Sequence, residues 1–368
     1  MAKYAEIYAD LRDHIRTGEL NAGDRLPTDR ELCESYAVSR ITATRAVQDL
    51  VRDGVVRRIP GSGTFVNEGG GALRVFHLLI PSLNTPYYSQ MAIAFAQFFS
   101  RLGAMGTCVL TNYNVDYTQT VLADIVRRGT SGIGIIPSGR KEWAEAIRQV
   151  VAALNAPVVI GSRELPGFKG RQVVVDEADS AAQAVRHLVA LGHERIAYFG
   201  PGSGYSSSRI RYEGFGRECS DSGLDPKHCP LVENPDAISI RQIRELFDVP
   251  LPPTAVVTAS ETHAVSAFDI LTSLGLSIPE NVAMVSLDGG AISPSAEVPL
   301  TSLEFPGDRI GESMAKALDE LDRKGQIGKA RAHTVREPAR LVIRASCGAR
   351  PNRYRHEYLR TIIAKSAD

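Results

Sequence analysis

The sequence predicts an α/β protein in which a small N-terminal winged helix-turn-helix precedes a larger domain of parallel sheets. Three observations carry this. Residues 26–66 hold two short amphipathic segments with cap residues, then two β-prone runs, the first of them basic, around a glycine-rich tip. From residue 74 onward, short apolar runs alternate with helical stretches, the pattern of strands buried on both faces and joined by helices. Between the two regions, residues 67–72 read Asn-Glu-Gly-Gly-Gly-Ala, a composition that builds no core and serves as a joint.

Taken in order, residues 4–17 form a first helix with Ile7, Leu11 and Ile15 on one side, ended by Gly18. Thr28 caps a second helix, with Glu31 three residues on to complete a capping box; Leu32 and Tyr36 follow at helical spacing. After a turn at Val38, Ser39 caps a third helix whose apolar side carries Ala43, Ala46, Val47, Leu50 and Val51. Gly54 supplies the left-handed stop. The runs VVRRI and TFV pair across PGSG as a wing.

The side chains left outside indicate what this unit meets. Arg40, Thr42, Thr44 and Arg45 lie on or near the first turn of the third helix, and Arg57, Arg58 and the small tip Gly61, Ser62 and Gly63 lie on the wing. A helix entering a major groove by its N-terminal end presents such groups to base edges and phosphates. Double-stranded DNA is therefore the expected partner; a helical subdomain with solvated arginines is the bland alternative. Whole-chain charge is zero, and residues 1–66 are balanced too, with ten Lys/Arg and ten Asp/Glu. Across 35–66, however, five arginines face two aspartates, so five minus two leaves three positive charges on the contact side. That is a modest charge for one copy, which argues for a homodimer.

Residues 4–66 resemble the DNA-binding domain of the GntR family of bacterial repressors. The matching pieces are YAEIYADLRDHIRTGEL, AGDRLPTDREL, VSRITATRAVQDLVRDGVV and GSGTFV. The resemblance implies DNA contacts from the arginines of LP-x-x-R-E-L and V-S-R, here Arg30 and Arg40. Many members carry a further arginine four residues on, where this chain has Thr44.

In the second region the strands read VFHLLIP, TCVLTN, GIGIIP and PVVIGS, then RQVVV, RIAYFG, TAVVTA and VAMVSL, with helices over 88–102, 117–128, 141–154, 179–191, 209–222 and 262–274. Two similar halves follow one another. Ligands of open α/β sheets bind beyond the carboxyl ends of the strands. Those ends carry Ser82, Asn84, Tyr87, Ser162, Arg163, Arg211, Ser260, Glu261 and Asp288. Converging donors and acceptors with aromatic faces suit a sugar. Of the tyrosines at the first helix, Tyr87 is expected in the cleft and Tyr88 in the core.

Residues 75–347 resemble the effector-binding core of the LacI family. The matches run in order from IPSLNTPYYSQM through PVVIGSR, VVVDEADSAAQAVRHLVALGHERIAYFGP, SSSRIRYEGF, TAVVTASETHA and GLSIPENVAMVSLDG to PLTSLEFPGDRIGESMAKAL and REPARLVIRAS. The resemblance implies a periplasmic-binding-protein-like type I domain over 75–348. Its lobe one is expected at 75–175 and 306–333, and its lobe two at 176–305 and 334–348, with three crossings and a ligand cleft between. It also implies ligand binding by Arg211 and Asp288; a buried pair holding the lobes together is the structural alternative. Ser162-Arg163 and Ser260-Glu261 stand where the family often has Asp-Arg and Asn-Asp, so the pocket is tuned to another ligand. Head and core together resemble the arabinose-repressor type of hybrid regulator.

Other classes find little support. The chain has no run of 18 apolar residues and no leader-like N-terminus, so a cytoplasmic location without membrane contact is expected. Five scattered cysteines without CxxC spacing read as reduced thiols. No HxxxH pair suggests a metal, and GPGSGYSSS lacks the lysine of a phosphate loop. No cofactor is expected. His187 and His193 are expected to cap a helix end, and residues 349–368 form a basic tail. The resulting expectation is a homodimeric repressor on a palindromic operator, released by a sugar or sugar derivative. A sugar-binding or sugar-modifying protein on the same two-lobe fold is the competing reading.

Overall fold

The structure, a computed structural model, describes residues 3–67, 74–201, 206–233, 239–325 and 332–349. The glycine joint and the basic tail fall almost wholly outside the described residues. The chain divides into two compact units, Met1–Arg74 and Val75–Asp368.

The first unit contains α1 (Lys3–Thr17), α2 (Asp29–Tyr36), α3 (Arg40–Arg52), β1 (Val56–Ile59) and β2 (Gly63–Val66). Thr28 and Glu31 form the reciprocal capping box on α2, and Ala37 ends that helix in a left-handed conformation at φ 49°. Ser39 caps α3 by accepting from the Thr42 amide. The apolar sides of the three helices meet in one core with Ile7, Leu11, Leu32, Ala43, Ala46, Val47 and Leu50, closed by Val56 and Val66 of the wing. Val51, grouped with that face by spacing, is exposed. β1 and β2 pair antiparallel. The Arg25-Leu26 segment joins β2 as a short third strand, through an Arg25–Phe65 bridge and the Leu26 amide donating to Thr64 O at 2.8 Å.

The second unit starts with β3 (Val75–Ile80), α4 (Pro86–Arg101), β4 (Met105–Leu110), α5 (Val115–Arg128), β5 (Gly132–Ile135), α6 (Lys141–Ala153), β6 (Val158–Ser162) and β7 (Arg171–Val175). It crosses to a second lobe of α7 (Glu177–Ala190), β8 (Ile196–Phe199), α8 (Ser206–Asp221), β9 (Leu231–Val232), α9 (Ile240–Phe247), β10 (Ala255–Thr258), α10 (Glu261–Ser273), β11 (Ala283–Gly289) and β12 (Thr301–Glu304). It returns for α11 (Gly307–Arg323) and β13 (His333–Glu337), and crosses once more to β14 (Arg340–Val342). Each lobe is a six-stranded sheet, in the orders β13-β7-β6-β5-β3-β4 and β14-β12-β11-β10-β8-β9. All neighbours are parallel except β12 and β14.

The last crossing corrects the expected lobe boundary. Residues 334–337 were assigned to lobe two, yet β13 pairs residue for residue with β7 in the first sheet. The alternating run HTVRE completes a free sheet edge, and Pro338 then breaks it. Phe305, on the middle crossing, packs against the cores of both lobes. The first lobe is held by an unusually close contact of α11 with α4. A Cβ on Gly307 would lie 2.2 Å from Tyr87 O, and one on Gly311 2.2 Å from Met91 O. Only glycine at these two positions lets the helices approach so closely, and the approach sets the depth at which Tyr87 enters the lobe.

Candidate functional site

Two surfaces gather the expected chemistry. In the first unit, a groove is lined by Arg25, Arg30, Arg40 and Arg58 together with Asp29 and Gly63. Arg40 is exposed on the first turn of α3, just past the Ser39 cap, whose hydroxyl also meets the Thr42 hydroxyl at 2.9 Å. Ile41 beside it is 83% exposed. Arg30 is exposed and bonds Glu34 at 2.9 Å on its own helix. The wing tip of Gly61, Ser62 and Gly63 turns through the Ser62 amide bonding Ile59 O at 3.0 Å.

Asp29 organises this face. It accepts from the Thr44 hydroxyl at 3.2 Å and from Arg58 at 3.1 Å, so recognition helix, preceding helix and wing meet on one carboxylate. Arg45 departs from expectation: its guanidinium stacks 4.0 Å over the Tyr4 ring of α1. Five helical residues after Arg40 is a rotation of about 140° around the helix, away from the first-turn face. Arg25 was missed by the sequence reading, because it lies between α1 and α2 with no motif to mark it; its guanidinium lies against Gly63 of the wing.

The second surface is a cleft of about 820 Å³ between the lobes. Strand ends and the helix starts that follow them supply Asn112, Tyr113, Ser138, Arg140, Trp143 and Arg163 from lobe one, and Ser208, Arg211, Ser260, His263 and Asp288 from lobe two. Of the expected ligand residues, the fold brings Arg163, Arg211, Ser260 and Asp288 together here.

Five others lie elsewhere, Ser82 among them, half-buried on the loop after β3. Asn84 is exposed on the loop before α4. Tyr87 donates to the Ser162 hydroxyl at 2.9 Å and sets its ring edge-on to Phe305 at 5.8 Å, so both form the floor behind the wall. Burial there pushes the Tyr87 hydroxyl pKa up. Tyr88, placed in the core by the sequence reading, packs against the lobe-one core, and its hydroxyl meets the Tyr113 hydroxyl of the cleft at 2.8 Å. The Glu261 carboxylate accepts the Gly290 and Ser293 amides, both at 2.7 Å, and so ties down the loop after β11.

The two walls differ in electrostatics. Arg211 is 8% exposed and is held by Glu177, by the carbonyl of Ala259 and, at 3.9 Å, by Asp288. Its guanidinium lies 5.2 Å from the Phe305 ring centroid. Glu177, 34 residues away in sequence, was not foreseen as its partner. Burial raises the Asp288 carboxyl above the usual range, against the pull of Arg211 and of the Glu261 amide, which donates at 2.6 Å. Arg163 on the opposite wall donates to the Tyr113 hydroxyl at 2.7 Å and to Pro137 O at 3.4 Å. Asn112 and Tyr113 both take left-handed backbone, φ 48° and 55°, conformations that concentrate at ligand sites because surrounding structure must enforce them.

Ser260 and His263 meet at 2.7 Å, but the same serine caps α10 by accepting the His263 amide, so the pair closes a helix end. His193 caps the end of α7 through its backbone amide, which donates to Leu188 O at 3.1 Å, while its ring bonds the Thr254 hydroxyl at 2.9 Å; His187 is buried within α7. The five cysteines are free thiols. Among the described residues no His/Cys/Asp/Glu group is placed to hold a metal, and no helix is long and apolar enough to cross a membrane.

Comparison with known proteins fits this geometry. Residues 3–66 match the family of bacterial regulatory proteins, gntR family, and residues 185–347 match a periplasmic binding protein-like domain. The arabinose metabolism transcriptional repressor of Halalkalibacterium halodurans is 25% identical, over 94% of this chain and 96% of its own. Two solved structures share the fold. A ribose-bound LacI family transcriptional regulator from Enterococcus faecium has a TM-score of 0.59 at 21% identity, over 74% of this chain and 98% of its own. The lac repressor dimer bound to operator and an anti-inducer has a TM-score of 0.61 at 21% identity, over 75% of this chain and 95% of its own.

Proposed function

We propose that this chain, which joins a GntR-family DNA-binding domain to a periplasmic-binding-protein-like domain, is a transcriptional repressor switched by a small polyhydroxylated ligand. One observation carries the reading. The same chain holds an exposed arginine on the capped first turn of a recognition helix, beside a basic wing, and a polar two-walled cleft at the carboxyl ends of two sheets. Arg40, Thr42 and the wing tip read DNA, with Arg25, Arg30 and Arg58 on phosphates. Arg211, Ser260 and Asp288 hold hydroxyls from one wall, and Arg163 meets the ligand from the other.

Exposed Met105 and Leu110 on edge strand β4, with Ile93 and Tyr117 beside it, support self-association into a homodimer on two half-sites. DNA binding places the protein in the cytoplasm. A ligand touching both walls favours the closed arrangement by its differential affinity alone. Coupling of this kind is typically about 1–3 kcal/mol, a loss of operator affinity of roughly five- to 150-fold. The Ser260–His263 contact is the one feature that favours an enzyme, and its use as a helix cap argues against it. The test is a titration of full-length protein on duplexes selected from a random pool, with and without a panel of sugars. Release of a selected duplex by a cleft ligand is expected. Turnover of that sugar, or no selectable duplex, refutes the reading.

A further inference from the structure

The cleft walls carry unequal counter-charges, and the inequality specifies the ligand. On the lobe-two wall Arg211 is matched by Glu177 and Asp288. On the lobe-one wall the hydrogen bonds of Arg163 go to neutral acceptors, a phenol and a backbone carbonyl. Among the described residues no carboxylate pairs with it within 4 Å, and Glu177, which pairs with Arg211, acts on it only from farther away. Arg140 lines the same wall and stands at the start of α6, a 13-residue helix that opens with no side-chain cap bond. The positive end of that helix therefore adds to the Arg163 guanidinium. The acids that line the cleft are exposed Glu142, and Asp288 across the gap, which is already engaged by the Glu261 amide.

A guanidinium withdrawn from water is normally matched by an anion. Closing the cleft over a neutral sugar would dehydrate Arg163 with no anion in contact with it. A carboxylate or phosphate ester would accept its donor fork and give the wall the charge it lacks. Resting on the reading of this cleft as the effector site, we infer that the effector is an anionic sugar. Its acid group lies on Arg163 beside Arg140, and its hydroxyls lie on Ser260, Arg211 and Asp288.

The test compares matched pairs by calorimetry on the full-length protein: galacturonate with galactose, glucuronate with glucose, arabinose 5-phosphate with arabinose, and glucose 6-phosphate with glucose. In at least one pair the anionic member is expected to bind at least about tenfold more tightly, tenfold being a difference of about 1.4 kcal/mol. Which pair shows it separates a sugar acid from a sugar phosphate. Arg163→Met is expected to bring that ratio close to one, and Arg163→Lys, which keeps charge but not the fork, to give an intermediate value. Native unfolding of both variants is checked by circular dichroism, and the lysine variant carries the test if the methionine variant does not fold.

Equal or tighter binding of the neutral member in every pair overturns the inference. So does a ratio unchanged in Arg163→Lys and Arg163→Met, or the absence of any anionic binder at millimolar concentration. Operator release is read in parallel. A neutral sugar that releases DNA overturns the anionic ligand while the repressor reading stands, whereas failure to select any duplex counts against the repressor reading and leaves the binding ratios to decide this one.

Discussion

Replacing Arg211 by methionine would leave Glu177, whose side chain is 8% exposed, without its cation inside the second lobe. Removing one partner of a buried ion pair costs about 3–5 kcal/mol, because the remaining charge is stranded. Asp288 loses the same partner, but its side chain is 35% exposed and recovers water, so Glu177 dominates the cost. Against a total stability of roughly 5–15 kcal/mol this is a large fraction. For a domain of this size, each kcal/mol lowers Tm by about 2–4 °C, so a fall of roughly 6–20 °C is expected. The second change, Glu177→Leu on top of Arg211→Met, removes the stranded charge and should recover most of the loss, while ligand response stays absent in both variants. Thermal unfolding of wild type, both single variants and the double variant measures this. A double variant no more stable than Arg211→Met would refute the buried-charge argument. An unshifted Arg211→Met would show that the arginine serves the ligand alone. The pair thus separates lobe packing from ligand binding, which a substitution at Arg211 by itself conflates.

Three further outcomes are expected. Arg40→Ala should weaken operator binding by about 1–3 kcal/mol at one base position and relax specificity there, read by titration at fixed salt against single-base operator variants. Gly311→Val places carbon where Met91 O now lies at 2.2 Å from a Cβ position; overpacking of this kind costs about 1–3 kcal/mol, measured by urea unfolding. His187, 2% exposed, is held neutral by burial, with His193 adding to the effect, and its pKa falls to about 4. The unfolded chain binds the proton at pH 6.5 and the folded chain only near 4. Stability is therefore full above about pH 6.5 and falls as pH drops towards 4, by roughly 3 kcal/mol in all. His187→Leu should flatten the pH dependence of unfolding across that window.

The elements of the first unit were legible because each rests on local chemistry. The Thr28–Glu31 box, the Ser39 cap and Gly54 act within four residues. The strand-helix alternation likewise located the cleft, since strand ends are where open sheets bind. Arg163, Arg211, Ser260 and Asp288 followed from that rule. What was not legible depends on direction. Arg45 is five residues from Arg40 and so faces α1. Glu261 sits at a strand end but bends to the loop after β11. Tyr87 and Tyr88 are neighbours on one helix turn, and only packing against Phe305 and Tyr113 separates their surroundings. Tyr113 and Trp143 belong to segments without a motif and are brought to the cleft by tertiary packing, and nothing local pairs Glu177 of α7 with Arg211 of α8. The expected boundary at 334 failed because a five-residue alternating run fits the free edge of either sheet, and pairing with β7 decided between them.

The path of the chain through the two sheets also constrains how the molecule is made. The first unit is finished once Val66 has left the ribosome, since every element of its core lies before that residue. Neither lobe has that property. The first sheet waits for β13 and the second for β14, so both receive their last strand from the same stretch, residues 333–342. A nascent chain that has already synthesised nine-tenths of its length therefore carries two unfinished sheets with exposed edges at once, the condition in which unpaired strands recruit neighbours. Vectorial synthesis delivers the DNA-reading unit early and the sensing unit all at once at the end. A message truncated before residue 333 would yield a folded head with no working sensor behind it.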